Sequence, residues 1–216
     1  MSGNSKKNII ILLLLLVPFF AWASDTLQDS YSEANKDNND NINTADAGVD
    51  CHAHSFTTLN DGNSYKITSA IMNLAKTSTP TGSYWYVLYA HTGTYGVSSL
   101  PTGSALATSD TADISALTTS YVNKELNFTG AQQYLMSANT NYVLAVCTDT
   151  AENSKYLSVG IDTSTATHGG NDSIHVLPST WVLYGVATTD APFYVYGALP
   201  SAASTPRQRP RLIFFN

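Results

Sequence analysis

The chain has 216 residues and a formal charge of -6 at pH 7, with 43% hydrophobic and only 12% charged side chains. Such a sparse, acidic balance offers no counterion-release drive toward DNA or RNA, so nucleic-acid binding is excluded. The length suffices for one ordinary domain with its own core.

Lys6 and Lys7 precede an apolar run from Ile9 to Phe20, followed by Ala21-Trp22-Ala23. A basic start, an apolar stretch and a small-x-small site in that order predict a secretory signal over residues 1–23, cut after Ala23. The run is shorter than the roughly 20 residues of a bilayer span and breaks at Pro18, so no transmembrane segment is expected after cleavage. Loss of Lys6 and Lys7 takes the charge to -8. In an oxidising compartment the two cysteines, Cys51 and Cys147, most simply form one disulfide, two buried free thiols being the alternative.

Residues 24–50 carry seven acids (Asp25, Asp29, Glu33, Asp37, Asp40, Asp46 and Asp50) and few large apolar side chains. That composition predicts a disordered acidic spacer, because it cannot bury enough surface to offset the entropy of ordering. Its DNND run at 37–40 lacks the glycine and terminal glutamate of an EF-hand loop.

From Cys51 to Leu199 short runs rich in Val, Ile, Tyr and Thr alternate with Gly, Pro, Asn and Asp, without a sustained 3.6-residue period. This predicts an all-β domain, a two-layer antiparallel β-sandwich over 51–199. Strands are expected at 54–59, 65–74, 84–90, 105–110, 121–128, 142–148, 156–162, 180–184 and 193–197. Turns are expected at Asn60-Asp61-Gly62-Asn63, Pro80-Thr81-Gly82 and Pro101-Thr102-Gly103. After Pro200, three Arg interleaved with two Pro predict a basic, unstructured tail over 200–216.

Several short motifs in the domain form a familiar succession: Ile67-Thr68-Ser69, the PTG turn ahead of YVLYAHTG, PTGSALATSD at 101–110, Asn127-Phe128-Thr129, Asn141-Tyr142-Val143-Leu144, GIDTST at 160–165 and the closing Phe193-Tyr194-Val195-Tyr196-Gly197. Together they resemble the secreted jelly-roll modules of bacterial surface proteins, phage structural proteins and choice-of-anchor domains. The resemblance spans residues 54–198, through motifs that are individually short. It implies a non-catalytic recognition or structural unit and transfers no catalytic residue.

Alternation along the strand at 84–90 separates Tyr84, Tyr86 and Leu88 from Trp85, Val87 and Tyr89. Leu88 assigns the first set to the core. The resembling modules carry small or polar residues at the places of Trp85 and Val87, which likewise implies an outer face there. Trp85 and Tyr89 are therefore candidate ligand-binding residues, with Trp181 and Tyr184 as a second pair. Exposed rings among hydroxyls and amides suit a sugar face or a protein hot spot, the alternative being that both faces of the strand are covered.

His52 and His54 share a strand face and could chelate a metal, but Cys51 points the other way, so the pair reads as fortuitous and no metal site is assigned. His168, ahead of Gly169-Gly170-Asn171-Asp172, could sit beside an aspartate, yet no G-x-S-x-G elbow is present. Glycoside hydrolysis needs two facing carboxyl groups, whereas Asp110, Asp113, Asp149, Asp162 and Asp190 fall at strand ends, where Asp serves turns. Loop carboxylates of this kind are compatible with a structural calcium without assignable ligands; no other cofactor is expected.

The leading expectation is a secreted, non-catalytic binding module for carbohydrate or a cell-surface partner. A self-assembling subunit of an extracellular filament, coat or virion is the alternative, and a hydrolase the lesser one.

Overall fold

The computed structural model describes residues 24–45, 48–185 and 188–201. The expected signal at 1–23, and the expected tail from residue 202 onward, lie outside them. The strands are β1 (Thr26–Tyr31), β2 (Asn38–Ile42), β3 (Val49–Thr57), β4 (Tyr65–Thr77), β5 (Ser83–Thr92), β6 (Leu100–Thr108), β7 (Ala112–Asp113), β8 (Val122–Asn127), β9 (Leu135–Met136), β10 (Asn141–Thr148), β11 (Tyr156–Ile161), β12 (Asp172–Val176), β13 (Thr180–Tyr184) and β14 (Phe193–Ala198). Three short 3-10 turns accompany them, with no α-helix among the described residues.

All ladders are antiparallel. One sheet runs β1-β14-β4-β11-β2 with β8 and β9 also on β4; the other runs β13-β12-β3-β10-β5-β6 with β7 on β5. Alternation drives one face of each into a shared core. Ile67, Met72, Leu74 and Phe193 from the first sheet, and Phe56, Tyr86, Leu88 and Leu144 from the second, are all buried. The Phe56 and Phe193 rings meet across the layers at 6.0 Å. Residues 60–63 and 80–82 lie in the connections that lead into β4 and β5, with positive φ at Gly62 and Gly82.

Two expectations are corrected. The acidic segment 24–50 is not a disordered spacer: β1 adds to β14, β2 adds to β11, and β3 already starts at Val49. Main-chain pairing and side-chain hydrogen bonds supply what apolar surface does not. The Asp29 carboxylate accepts the Thr57 N–H at 3.0 Å, Tyr31 donates to Asp162 at 2.5 Å, and the buried Asn43 amide donates to the Glu152 and Lys155 carbonyls. The second correction concerns Pro101-Thr102-Gly103, which lies inside β6 rather than in a turn. β6 is an edge strand with an irregular register against β5, a setting that tolerates proline.

The second sheet is strongly curled. Three strands separate β5 from β13, a span of about 19 Å in a flat sheet, yet the Tyr89 and Trp181 rings touch at 5.6 Å. The face turned away from the main core is therefore concave. Ala53, Val87, Val143 and Ala145 are buried on it, and small side chains there make room for the bend.

Candidate functional site

One cross-strand row defines the centre of this concave face. Trp85 on β5 is paired with Cys147 on β10, Cys147 with Cys51 on β3, Cys51 with His175 on β12, and His175 with Trp181 on β13. A direct cross-strand pair with Cα atoms 4.1 Å apart holds the Cys51–Cys147 disulfide, as the sequence suggested. The disulfide and Val87 form the floor of a concavity of about 190 Å³, and Trp85, Tyr89, His175, Trp181 and Asp50 form its walls.

Cross-strand contacts set the walls. The Trp181 indole packs on the His175 ring at 5.1 Å and edge-on to Tyr89 at 5.6 Å. His175 Nδ1 lies 2.6 Å from the Asp50 carboxylate, which fixes the imidazole while leaving both side chains partly exposed, at 19% and 24%. Burial, reinforced by the Asp50 charge, pushes the Tyr89 hydroxyl above its ordinary pKa, so it stays a neutral donor.

The alternation assigned from the sequence is the one observed: Tyr84, Tyr86 and Leu88 face the main core, and Trp85, Val87 and Tyr89 the other side. Trp85 and Tyr89 are half-buried walls of a cleft, however, and not a flat exposed platform, because the sheet curls over them. Tyr184 is not brought together with them. It is three residues from Trp181 on the same strand, so its ring points to the main core and packs edge-on over His52 at 5.4 Å. Burial, then the charge of Asp40, pushes its hydroxyl up to about 12. His175 and Asp50 were not singled out from the sequence; their register opposite Cys51 and Trp181 comes from non-local pairing.

A second polar assembly lies inside the sandwich. His52 Nδ1 meets Asp40 at 2.9 Å, and His52 Nε2 lies 3.2 Å from Asp172 in an ion-pair contact without hydrogen-bond geometry. Asp172 also accepts from His54 Nδ1, whose Nε2 is 2.8 Å from His168 Nδ1, and His168 Nε2 ends on Asp29 at 3.3 Å. Burial would strip the proton from His52, but the charge of Asp172, with the hydrogen bond that His52 donates to Asp40, outweighs it and raises the pKa to about 10. His52 and His54 thus belong to one network rather than a fortuitous pair, and His168 does sit beside aspartates. Donor atoms of His54, His168 and Asp190 all lie within 4.8 Å of one another.

Elsewhere, polar side chains close loops. Asp113 caps the 3-10 turn at Ile114–Ala116, Asp149 accepts the Ser83 N–H, and Asp162 accepts the N–H groups of Ser164 and Thr165. His91 Nε2 lies 2.9 Å from Ser99 Oγ, a buried hydroxyl of the β5–β6 loop that also accepts the Gly96 N–H.

No protein-family model matches the chain, and no curated protein matches it. Among solved structures it is similar to the cysteine protease and lectin-like domains of Cwp84, a surface layer associated protein of Clostridium difficile, with 13% sequence identity and a TM-score of 0.43. That match covers 71% of this chain and 33% of the other, and is too distant to transmit a ligand or a role. Among the described residues no helix is long and apolar enough to cross a membrane.

Proposed function

We propose that this chain is a secreted, non-catalytic module of jelly-roll type that binds carbohydrate in the concave cleft of its second sheet. One observation carries the reading: Trp85, Tyr89 and Trp181 enclose a concavity of about 190 Å³ with the Asp50–His175 pair at its wall. That volume is below the roughly 300 Å³ at which drug-sized pockets begin, so it suits a single sugar ring at the end or edge of a glycan. Apolar C–H faces of a pyranose pack against the indoles, and the Asp50 carboxylate and His175 ring take ring hydroxyls. Small, fixed polar groups beside aromatic walls are the pattern of a site that orients its ligand.

Calorimetry against a glycan panel, run on the wild-type chain and on Trp85→Ala, tests this. Saturable binding of a glycan by the wild type and its loss in the variant support the reading; equal binding by both refutes the assigned cleft.

A further inference from the structure

We propose that His54, His168 and Asp190 form a binding site for one divalent transition-metal ion of the zinc class, separate from the aromatic cleft and on the opposite face of β3. The donor set is two imidazole nitrogens and one carboxylate oxygen. His54 Nε2 lies 2.8 Å from His168 Nδ1 and 3.9 Å from Asp190 Oδ1.

Each imidazole is aimed by a carboxylate on its far nitrogen. Asp172 takes His54 Nδ1 and Asp29 takes His168 Nε2, at 3.3 Å for the second. Paired this way, a histidine keeps its proton on the carboxylate side and turns a more basic lone pair toward the centre, the outer arrangement that metal-ligating histidines use. Those outer partners are held in turn: Asp29 accepts the Thr57 and Ser30 N–H groups, and Asp172 accepts the Ala191 N–H.

Two nitrogens facing at 2.8 Å attract only if a proton or a cation lies between them. Gly170 N–H donates to His168 Nδ1 at 3.1 Å, which marks that nitrogen as a lone-pair carrier. A dication placed between the two nitrogens would meet both at once, beside the fully buried His54 ring. The carboxylates of Asp29, Asp172 and Asp190 balance its charge, and Phe193 closes the inner side, its ring 5.0 Å from that of His54 and 5.1 Å from that of His168.

Ligand bonds of 2.0–2.2 Å in a tetrahedral zinc site put donors roughly 3.3 Å apart. Filling the site therefore spreads the imidazoles by about half an ångström and draws Asp190 inward, movements within reach of side-chain rotation. Water or a ligand would complete the fourth position. The mixed nitrogen and oxygen set favours zinc and its neighbours over calcium or magnesium, which take all-oxygen shells. Entry is from the His168 side, where its side chain is 10% and that of Asp29 23% exposed. Gly170 lets the loop that carries His168 pack closely on β3, since a Cβ there would come within 1.9 Å of the Ser55 carbonyl oxygen.

The test is a zinc titration by calorimetry of the tag-free, chelator-dialysed full chain, with cobalt(II) absorption as a second readout. Expected are one zinc per chain, no calcium binding, and the visible absorption of four-coordinate cobalt. His168→Ala should lower zinc affinity by at least about a hundredfold and Asp29→Asn by about 10–100-fold, while His91→Ala leaves it unchanged. Lack of stoichiometric zinc binding by the wild-type chain, or undiminished affinity in both His168→Ala and Asp29→Asn, overturns the proposal.

Discussion

The Tyr89 and Trp181 rings meet edge-on at 5.6 Å although their strands are separated by three others in the same sheet. The curl that brings them together turns a sheet face into a cleft. It also explains why the middle of that face carries Ala53, Ala145 and a disulfide, with the large rings at its sides: the bottom of a concave surface has less room than a flat one.

If the indoles are the contact surface, truncating either should remove most of the affinity. Trp85→Ala and Trp181→Ala should each weaken glycan binding by about 30-fold or more, the scale of an aromatic hot spot. Tyr184→Phe, on the other face, should leave binding unchanged. Titration calorimetry of the three variants checks all of this, with circular dichroism to confirm that they fold.

Reduction of the Cys51–Cys147 bond should cost both stability and the floor of the cleft. The bond closes a loop with a sequence separation of 96 residues, and removing a native disulfide of this kind costs about 2–5 kcal/mol. Urea unfolding of the Cys51→Ser, Cys147→Ser double variant should show a lower midpoint, with glycan affinity reduced in parallel.

Tyr31 ties β1 to the end of β11 through the Asp162 carboxylate. Burial pushes that carboxyl up, but hydrogen bonds from Tyr31, Thr165 and Ser164 overcome it and hold the pKa below the ordinary 3.8. A depressed folded-state pKa means that the stabilisation is present above about 3.8 and fades as pH falls through the lower folded value. Tyr31→Phe should therefore destabilise by about 1.5–3 kcal/mol at pH 7, as expected for a charged hydrogen bond. The difference should shrink below pH 3.8 in denaturant titrations run across pH.

The pairing of β1 with β14 predicts slow exchange for those Thr26–Tyr31 amides that point at β14. Fast exchange there, measured by mass spectrometry, would contradict its place in the sheet.

Much of the architecture was legible in local patterns. The strand at Thr180–Tyr184 has the bounds its composition predicts, and Leu88 correctly assigns the faces of β5. The segment 24–50 was misread because composition measures apolar burial and not backbone pairing. Gln28 and Asn43, at 3% and 0% exposure, are ordered by hydrogen bonds that a count of hydrophobic residues does not register. The strand β12 has little local signal, because DSIHV is short and follows a glycine-rich loop. Hidden with it is the register that sets His175 against Cys51 and Asp172 against His54. Trp181 and Tyr184 are close in the chain, but period-two alternation sends them to opposite faces of β13.

Intrinsic fluorescence offers the most direct test of the cleft. Of the three tryptophans, Trp22 precedes Ser24, so a chain beginning at Ser24 carries only the two indoles that wall the concavity. Binding of a recognised glycan should shift and saturably change that emission, and Trp85→Ala should abolish the response at the same glycan concentrations. A glycan that binds by calorimetry while leaving both indoles silent would contradict the account.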